Sequence, residues 1–523
     1  MFKCIQSANP SLQLLLSMSV RGCKNTIKSC ESSIFRAEIG ALLSKSANFA
    51  AVIVSNNVFS NFYMANLIKL RKGLDINLQG CASETKIRLK SNGKYALMPD
   101  DFEGIVPKVV VKEGDHVKAG DALFVNKQYP TVSFASPVSG KVTSVERGER
   151  RKVLCVRVDA DAQQEYVDFG KKDVTKLDGK AVCEALLEAG IFGYINQLPY
   201  AVSTNPETMP KAIFVSALRD KPLACSFDYE VKGQEDDFAT GLIALSKIAK
   251  TYLGIGIQPD LQAELQKRQI ENYVELNVFE GKCPAGNVGV QVNNVAPVNK
   301  GEVVWTIGDP TVVLFIGRLF NTGKVDLRRT VALCGSEVLK PLHVDMLVGE
   351  ELSTLLSNSY DASHHVRIIN GNVLTGRKTT KDGFLGAHSS EITVIPEGDN
   401  ADEMLGWIMP RFNQFSVNRS YFSWLQNCWF CGKKKAYVAD ARIKGGERHI
   451  IMSGEYDKVL PMDIYAEYLI KAIITGDIDR QEQLGIYEVA PEDFALAEFV
   501  DSSKLELQRI VRQGLNILRK ENS

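Results

Sequence analysis

Val109–Val110–Val111 runs into Lys112–Glu113–Gly114–Asp115, and after Val117 the wording returns as Lys118–Ala119–Gly120–Asp121 before Ala122–Leu123–Phe124–Val125. Short apolar runs separated by Gly-Asp turns mark short strands joined by tight reversals. Ala135–Ser136–Pro137–Val138–Ser139–Gly140–Lys141–Val142 supplies a return strand of the same kind. Residues 86–160 therefore read as a small all-β module. Asn126–Lys127–Gln128–Tyr129–Pro130–Thr131 forms its hairpin region, with Lys127 near the tip as an exposed lysine.

Downstream the period changes. Val182–Leu187 is helical, and Ala212–Ala217 is a continuous apolar run of the kind found in a buried strand. Phe238, Leu242, Leu245, Ile248 and Ala249 share one face of a helix over 238–249. Leu253–Ile257 reads as a strand, Leu261–Arg268 as a helix and Tyr273–Phe279 as a further strand. Strands alternating with helices imply an α/β unit around a parallel sheet. Residues 330–396 return to β structure with a helix near Leu352–Leu356. From Asp463 the pattern is helical: Ile464–Ile474, Pro491–Phe499 with its Pro in the first turn, and Lys504–Lys520.

With 523 residues the chain is too long for one core. Lys+Arg and Asp+Glu both number 62, so no positive excess recommends a nucleic-acid partner. A membrane span needs about 20 consecutive apolar residues. The best run, Phe49–Phe62, is broken by Ser55, Asn56, Asn57, Ser60 and Asn61, so no direct transmembrane segment is expected. Eleven Cys without a repeating spacing read as reduced thiols. Residues 1–63 are Ser-rich, with six basic and two acidic residues, and Leu67–Ile68–Lys69–Leu70 alternates like a strand soon after Met64. They read as an upstream extension outside the fold, disordered and dispensable, with Met64 as the functional start.

Few residues suggest chemistry. Gly190–Ile191–Phe192–Gly193–Tyr194–Ile195–Asn196–Gln197 follows a helix and precedes a strand, where a glycine-rich loop could let backbone N–H groups approach a phosphate. Cβ atoms at Ile195, Asn196 and Gln197 would block that approach, and the two glycines read as turn residues. Cys428 and Cys431 form a C-x-x-C without a second pair nearby, which reads as ordinary thiols and not a metal site. His364–His365 reads as a solvated pair, and His116 and His388 as isolated. No Ser/His/Asp set, carboxylate pair or P-loop stands out, so no catalytic residue is assigned.

Two resemblances extend this reading. The Glu-Gly-Asp and Ala-Gly-Asp turns with the Ser-Pro-Val-Ser-Gly-Lys-Val return strand resemble a biotinyl/lipoyl-type barrel–sandwich hybrid. Lys127 lacks the flanks of a carrier lysine, so no swinging arm is expected. From Leu67 to about Arg512 the chain resembles the A-subunit family of the bacterial Na+-translocating NADH:quinone reductase. The resemblance is carried by Lys69–Leu70–Arg71–Lys72–Gly73–Leu74–Asp75, Val132–Ser133–Phe134–Ala135–Ser136–Pro137, Gly148–Glu149–Arg150–Arg151, Pro284–Ala285–Gly286, Ile369–Asn370–Gly371–Asn372–Val373–Leu374–Thr375–Gly376, Gly406–Trp407 with Met409–Pro410, Phe415–Ser416–Val417–Asn418–Arg419–Ser420, and Gly476–Asp477–Ile478–Asp479 with Leu484–Gly485. The chain departs from the family at Cys283, where a His stands, and at Asp501, where a Cys stands in Phe-Val-Cys-Pro-Gly-Lys.

The resemblance implies a multidomain α/β protein. Its parts would be the extension 1–63, a barrel-sandwich module at 64–165, a degenerate Rossmann-like α/β domain without a flavin site at 166–325, a β-grasp, SLBB-like domain at 326–400, and a mainly helical domain at 401–523. It implies a peripheral protein on the cytoplasmic side of the bacterial inner membrane, held by the other five subunits of a respiratory complex, especially its membrane-embedded B-subunit. The complex would reduce quinone with electrons from NADH and export Na+. FAD, FMN, riboflavin and Fe–S would lie on partner subunits, and this chain would hold no cofactor or metal. The quinone-proximal candidates the resemblance points to are Phe102 and Gly104, within Met98–Ile105, and Pro199 and Tyr200. The competing readings are a docking subunit with no ligand, and a flavin and Fe–S electron-entry subunit of the kind found in the related Rnf complex and complex I.

Overall fold

A computed structural model describes residues 66–399, 409–417, 421–425 and 435–522. The expectations for 1–63, for Trp407, for Asn418–Ser420 and for the Cys428/Cys431 pair fall outside the described residues.

Strands β1 (Asn66–Lys69) and β2 (Lys86–Ile87) lead into a seven-strand module. One sheet joins β3 (Lys94–Leu97), β5 (His116–Val117), β8 (Gly140–Arg147) and β9 (Val153–Ala160) in the order β3-β9-β8-β5. The other joins β4 (Pro107–Val109), β6 (Ala122–Asn126) and β7 (Ser133–Ala135). The repeated Lys-x-Gly-Asp wording makes two turns of one design. The Asp115 carboxylate accepts the Lys112 N–H at 2.7 Å, and the Asp121 carboxylate accepts the Lys118 N–H at 2.7 Å. Gly114 and Gly120 take φ of +93° and +105°, which side chains with a Cβ adopt reluctantly. Leu123, Phe124, Phe134, Val142 and Val156 fill the space between the sheets. Lys127 is exposed, as read from the sequence.

The α/β part holds α1 (Gly179–Glu188), β10 (Asn196–Leu198), β11 (Val202–Ser203), β12 (Ala212–Ser216), α2 (Phe227–Val231), α3 (Glu235–Ile248), β13 (Thr251–Ile255), α4 (Pro259–Lys267), β14 (Val274–Glu280), α5 (Val288–Val295), β15 (Val304–Ile307) and α6 (Thr311–Thr322). The sheet runs β1-β14-β13-β12-β15-β10-β11. Strands β1, β14, β13, β12 and β15 are parallel, and β10 closes antiparallel onto β15. All five residues of β12 are buried, as its unbroken apolar run requires of a central parallel strand. Three acids, Glu235, Asp236 and Asp237, fill the first turn of α3, where the helix dipole favours negative charge.

Three placements depart from the sequence reading. The strand expected at Leu253–Ile257 ends at Ile255, because Gly256 N–H turns to the Gln258 side chain at 3.0 Å and Pro259 then opens α4. Residues 66–69, read as the opening of the first module, instead form the edge of the parallel sheet, Asn66 facing Asn277 and Ile68 facing Phe279.

Strand β2 likewise leaves the first module to pair with β17 (Leu342–Leu347). That mixed sheet also contains β16 (Arg328–Cys334), β18 (Val366–Asn370), β19 (Arg377–Thr379) and β20 (Glu391–Pro396), in the order β19-β18-β20-β16-β17-β2, with the short helix α7 (Ser353–Leu356). Its core is Val331, Leu333, Val344, Ile392 and Val394, joined by Leu355 from α7.

Helices α8 (Ala466–Thr475), α9 (Ala495–Val500) and α10 (Leu507–Glu521) make a separate apolar cluster. Leu507, Val511, Leu515 and Leu518 line the buried face of α10 at helical spacing. Among the described residues, no helix is long and apolar enough to cross a membrane.

Candidate functional site

In the α/β sheet the chain leaves β12 toward β13 and β14, then returns to the other side of β12 as β15. Loops after the two central strands therefore diverge and open a crevice at their carboxyl ends, the place where ligands bind open α/β sheets. A cleft of about 460 Å³ lies there. Leu218–Lys221 after β12, Gly286 after β14 and Gly308–Asp309 after β15 form its floor. The rest comes from every other part of the fold: Asp101 and Glu103, Tyr194, Leu198 and Ala201, Asn370–Asn372 with Thr375–Arg377, His388–Glu391, Ala490–Glu492, and Gln508 with Arg512 on α10.

Arg219 and Asp309 on one wall belong to a charge quartet completed behind them by Glu230 and Arg329. Arg219 bonds Glu230 at 2.7 Å and Asp309 at 2.9 Å, and the fully buried Arg329 bonds Asp309 at 2.9 Å. Burial alone would raise the Asp309 carboxyl, but Arg329 and Arg219 outweigh it and hold Asp309 well below the usual carboxylate range. Lys221 holds Glu492 at 2.9 Å, and Arg512 lies 3.7 Å from Glu103.

A dinucleotide site in this topology places phosphate at helix N-termini. Here the chain's own carboxylates occupy them. Asp220 accepts the Gly286 N–H at 2.8 Å just ahead of α5. Asp493 accepts the Asn287 side-chain amide at 3.1 Å and the Ala490 N–H at 2.8 Å, and a Cβ at Gly289 would stand 2.3 Å from its Oδ2. Burial pushes Asp493 up to about 7. At α6, Asp309 accepts the Thr311 N–H at 3.3 Å.

The glycines of the suspected phosphate loop serve packing. A Cβ on Gly193 would lie 2.3 Å from the Phe134 ring, and one on Gly190 2.8 Å from Ala135 N. Gln197 is committed to the fold, its Oε1 accepting Thr204 Oγ1 at 3.1 Å and Asn205 N–H at 3.0 Å.

The candidates at 102–104 and 199–200 are far apart in sequence but adjacent in the fold. Ser203 N–H donates to Glu103 O at 2.9 Å. Helix α10 ties both: Arg519 donates to Gly104 O at 3.0 Å, and Arg512 to Tyr200 O at 2.9 Å and Ala201 O at 3.0 Å. Asn522 donates to Tyr200 Oη at 3.3 Å. Gly104 has φ +79°, and a Cβ there would meet Val202 and Arg519 at 2.6 Å. Tyr200 and Ala201 hold φ of +82° and +48°, a strained pair just after Pro199. Phe102 is 2% exposed, its ring 4.3 Å from Phe134 and 4.9 Å from Tyr194. It shapes this region from beneath.

Sequence reading missed most of the cleft. His388, read as isolated, lies 5.7 Å from the Phe102 ring and 5.6 Å from Tyr194, and burial lowers it to about 4. Asp220, Asp309 and Glu391 carried no local spacing signal. His364 and His365 are exposed as expected, yet each meets one carboxylate, Glu337 at 3.1 Å and Asp399 at 2.6 Å. His116 meets Asp161 at 2.8 Å. Cys283 is buried against Asp75, and burial raises its thiol well above the ordinary range. Asp501, 1% exposed, accepts Ser503 N–H at 3.0 Å and Leu505 N–H at 2.9 Å. Among the described residues, no group of three or more His, Cys, Asp or Glu is placed to hold a metal ion.

Three family models match consecutive stretches: an NqrA N-terminal barrel-sandwich hybrid domain over 68–161, an NqrA second alpha/beta domain over 177–325, and an NQRA C-terminal domain over 330–381. Among solved structures, an H2-reduced NAD+-reducing NiFe-hydrogenase overlaps 43% of this chain and 48% of its own, at 13% identity and a TM-score of 0.33, too loosely to carry an argument. Proteins named as the A-subunit of Na(+)-translocating NADH-quinone reductase match along their whole length and along 87% of this chain: 31% identical in Yersinia pestis bv. Antiqua and in Haemophilus influenzae, and 32% in Neisseria meningitidis serogroup C. At that identity over the full length of its relatives, the chain belongs to the NqrA family, the A-subunits of the Na+-translocating NADH-quinone reductase.

Proposed function

We propose that this chain is a peripheral component, without cofactor of its own, of a Na+-translocating NADH:quinone oxidoreductase. It sits on the cytoplasmic side of the inner membrane, held chiefly by the membrane-embedded B-subunit. NADH oxidation, the flavins and the Fe–S centre belong to partner subunits, and the complex couples quinone reduction to Na+ export. The observation that carries the reading is the full-length match to NqrA relatives. The carboxylates at the α5 and α6 N-termini support a site that no longer takes a flavin phosphate.

Within the complex, Gly104, Pro199 and Tyr200 form an edge beside which a quinone ring carried by a membrane partner docks, and Phe102 fixes its shape. Arg512 and Arg519 hold both halves of that edge on α10. The test is Tyr200→Ala in the assembled complex. Lost binding shared by ground and transition states raises KM for quinone more than it lowers kcat. NADH oxidation with an artificial acceptor should stay unchanged. Unaltered quinone kinetics and inhibitor binding in a fully assembled complex would favour a docking role without quinone contact.

A further inference from the structure

Within the switch-point cleft the charges do not balance. The quartet of Arg219, Arg329, Glu230 and Asp309 closes on itself, Lys221 is held by Glu492, and Arg512 faces Glu103. Arg377 lies near Asp101, donating to the neighbouring Asp100 carbonyl at 3.0 Å. Two wall carboxylates, Asp220 and Glu391, have no ion-pair partner among the described residues. Glu391 is 3% exposed. Both lie in the field of Lys221, whose ammonium Glu492 already holds, and Glu391 lies also in that of Arg219.

The hydrogen bonds are also incomplete. Asp220 Oδ2 accepts Gly286 N–H, and the Cys283 thiol also hydrogen-bonds the Asp220 carboxylate. Tyr194, 2% exposed and on the cleft wall, has a buried hydroxyl without a partner. A buried hydroxyl without a partner is costly, so a ligand that brings a donor gains at Tyr194. Anions are disfavoured at the same place, since carboxylates already sit on the α5 and α6 N-termini. A cleft of about 460 Å³ is large for a bare ion and suited to a small organic molecule.

We propose that this cleft binds a small aliphatic diamine in its ammonium form, with the N–H groups of one end on Asp220 and Glu391 and those of the other donating to the Tyr194 hydroxyl. Leu198, Ala201 and Arg512 bring the rim of the same cleft up to the quinone edge, but amine binding on Asp220 and Glu391 does not depend on quinone contact.

The test uses the purified full chain and putrescine as probe. Calorimetric titration at fixed ionic strength should give saturable, one-to-one binding, weakened at least tenfold in Asp220→Asn and in Glu391→Gln. Hydrogen exchange on the unsubstituted chain reads the place directly, even if a variant folds poorly: putrescine should slow exchange at Gly286 and Gly371, beside the two carboxylates. No saturable binding, protection confined elsewhere, tighter binding of FMN or NADH than of putrescine, or full displacement by low millimolar Na+ would each overturn the proposal.

Discussion

Desolvation pushes the half-buried Asp101 carboxyl up to about 6, against the Ala387 N–H that it accepts at 2.8 Å and the pull of Arg377. A folded-state value above the unfolded one means that the folded chain binds the proton more tightly. That stabilisation is complete below about pH 4, the unfolded carboxyl value, and is lost as the pH rises through about 6. Asp101→Asn should therefore flatten stability across this window, read by urea unfolding at a series of pH values. An unchanged slope would place the dependence elsewhere, on Asp493 for example. Phe102 makes the opposite kind of prediction. Its ring is enclosed by Phe124, Phe134, Tyr194 and His388, so Phe102→Ala should cost about 3–5 kcal/mol in denaturant unfolding. A loss under about 1 kcal/mol would show that this aromatic cluster is loose. Single residues such as these were legible in sequence by type and not by neighbourhood. Phe102 entered from the sequence as a quinone-proximal candidate and not as the hub of an aromatic cluster, and His388 gains its meaning only from Phe102 and Tyr194, distant in the chain.

Strands and helices were legible wherever burial imposed a period, and less so where a side chain or a distant strand decided the outcome. The apolar run of β12 and the helical face of α3 declared themselves. The end of β13 did not, because a Gln258 side chain draws the backbone out of the ladder. Recruitment of β1 and β2 into other sheets could not be read either, since four- and two-residue strands carry too little pattern to name a partner. The Asp501 loop is legible in retrospect. A carboxylate there receives two backbone N–H groups between α9 and α10, so the position orders the turn by hydrogen bonding. Asp501→Ala should leave both donors unsatisfied and cost about 2–5 kcal/mol in thermal or urea unfolding. Asp501→Asn, which keeps one acceptor, should cost less. Equal losses for the two would mean that the shape of the side chain, and not its acceptor atoms, holds the turn.

Across the molecule, the cleft was invisible in sequence because its walls come from positions as far apart as Asp101 and Arg512. What joins the first two modules was not visible either, because the two glycines before β10 read only as turn residues. Gly190 and Gly193 let the chain press onto Ala135 and Phe134, and one continuous apolar core runs from Phe124 and Val142 through Phe192 and Tyr194 to Val215 and Ile307. Modules that share a core lose it together when either opens. The barrel-sandwich module and the α/β sheet should therefore unfold as one cooperative unit. Native-state hydrogen exchange should give matching opening free energies for the amides of Phe134 and Val142 and for those of Val215 and Ile307. Gly193→Ala supplies the sharper test, because its Cβ would meet the Phe134 ring at 2.3 Å and force the interface apart. If the core is shared, that substitution lowers protection in both modules by the same amount, although the new methyl group lies in one of them. If the modules are merely adjacent, protection falls near Phe134 while Val215 and Ile307 keep theirs, and the two parts are independent domains in contact.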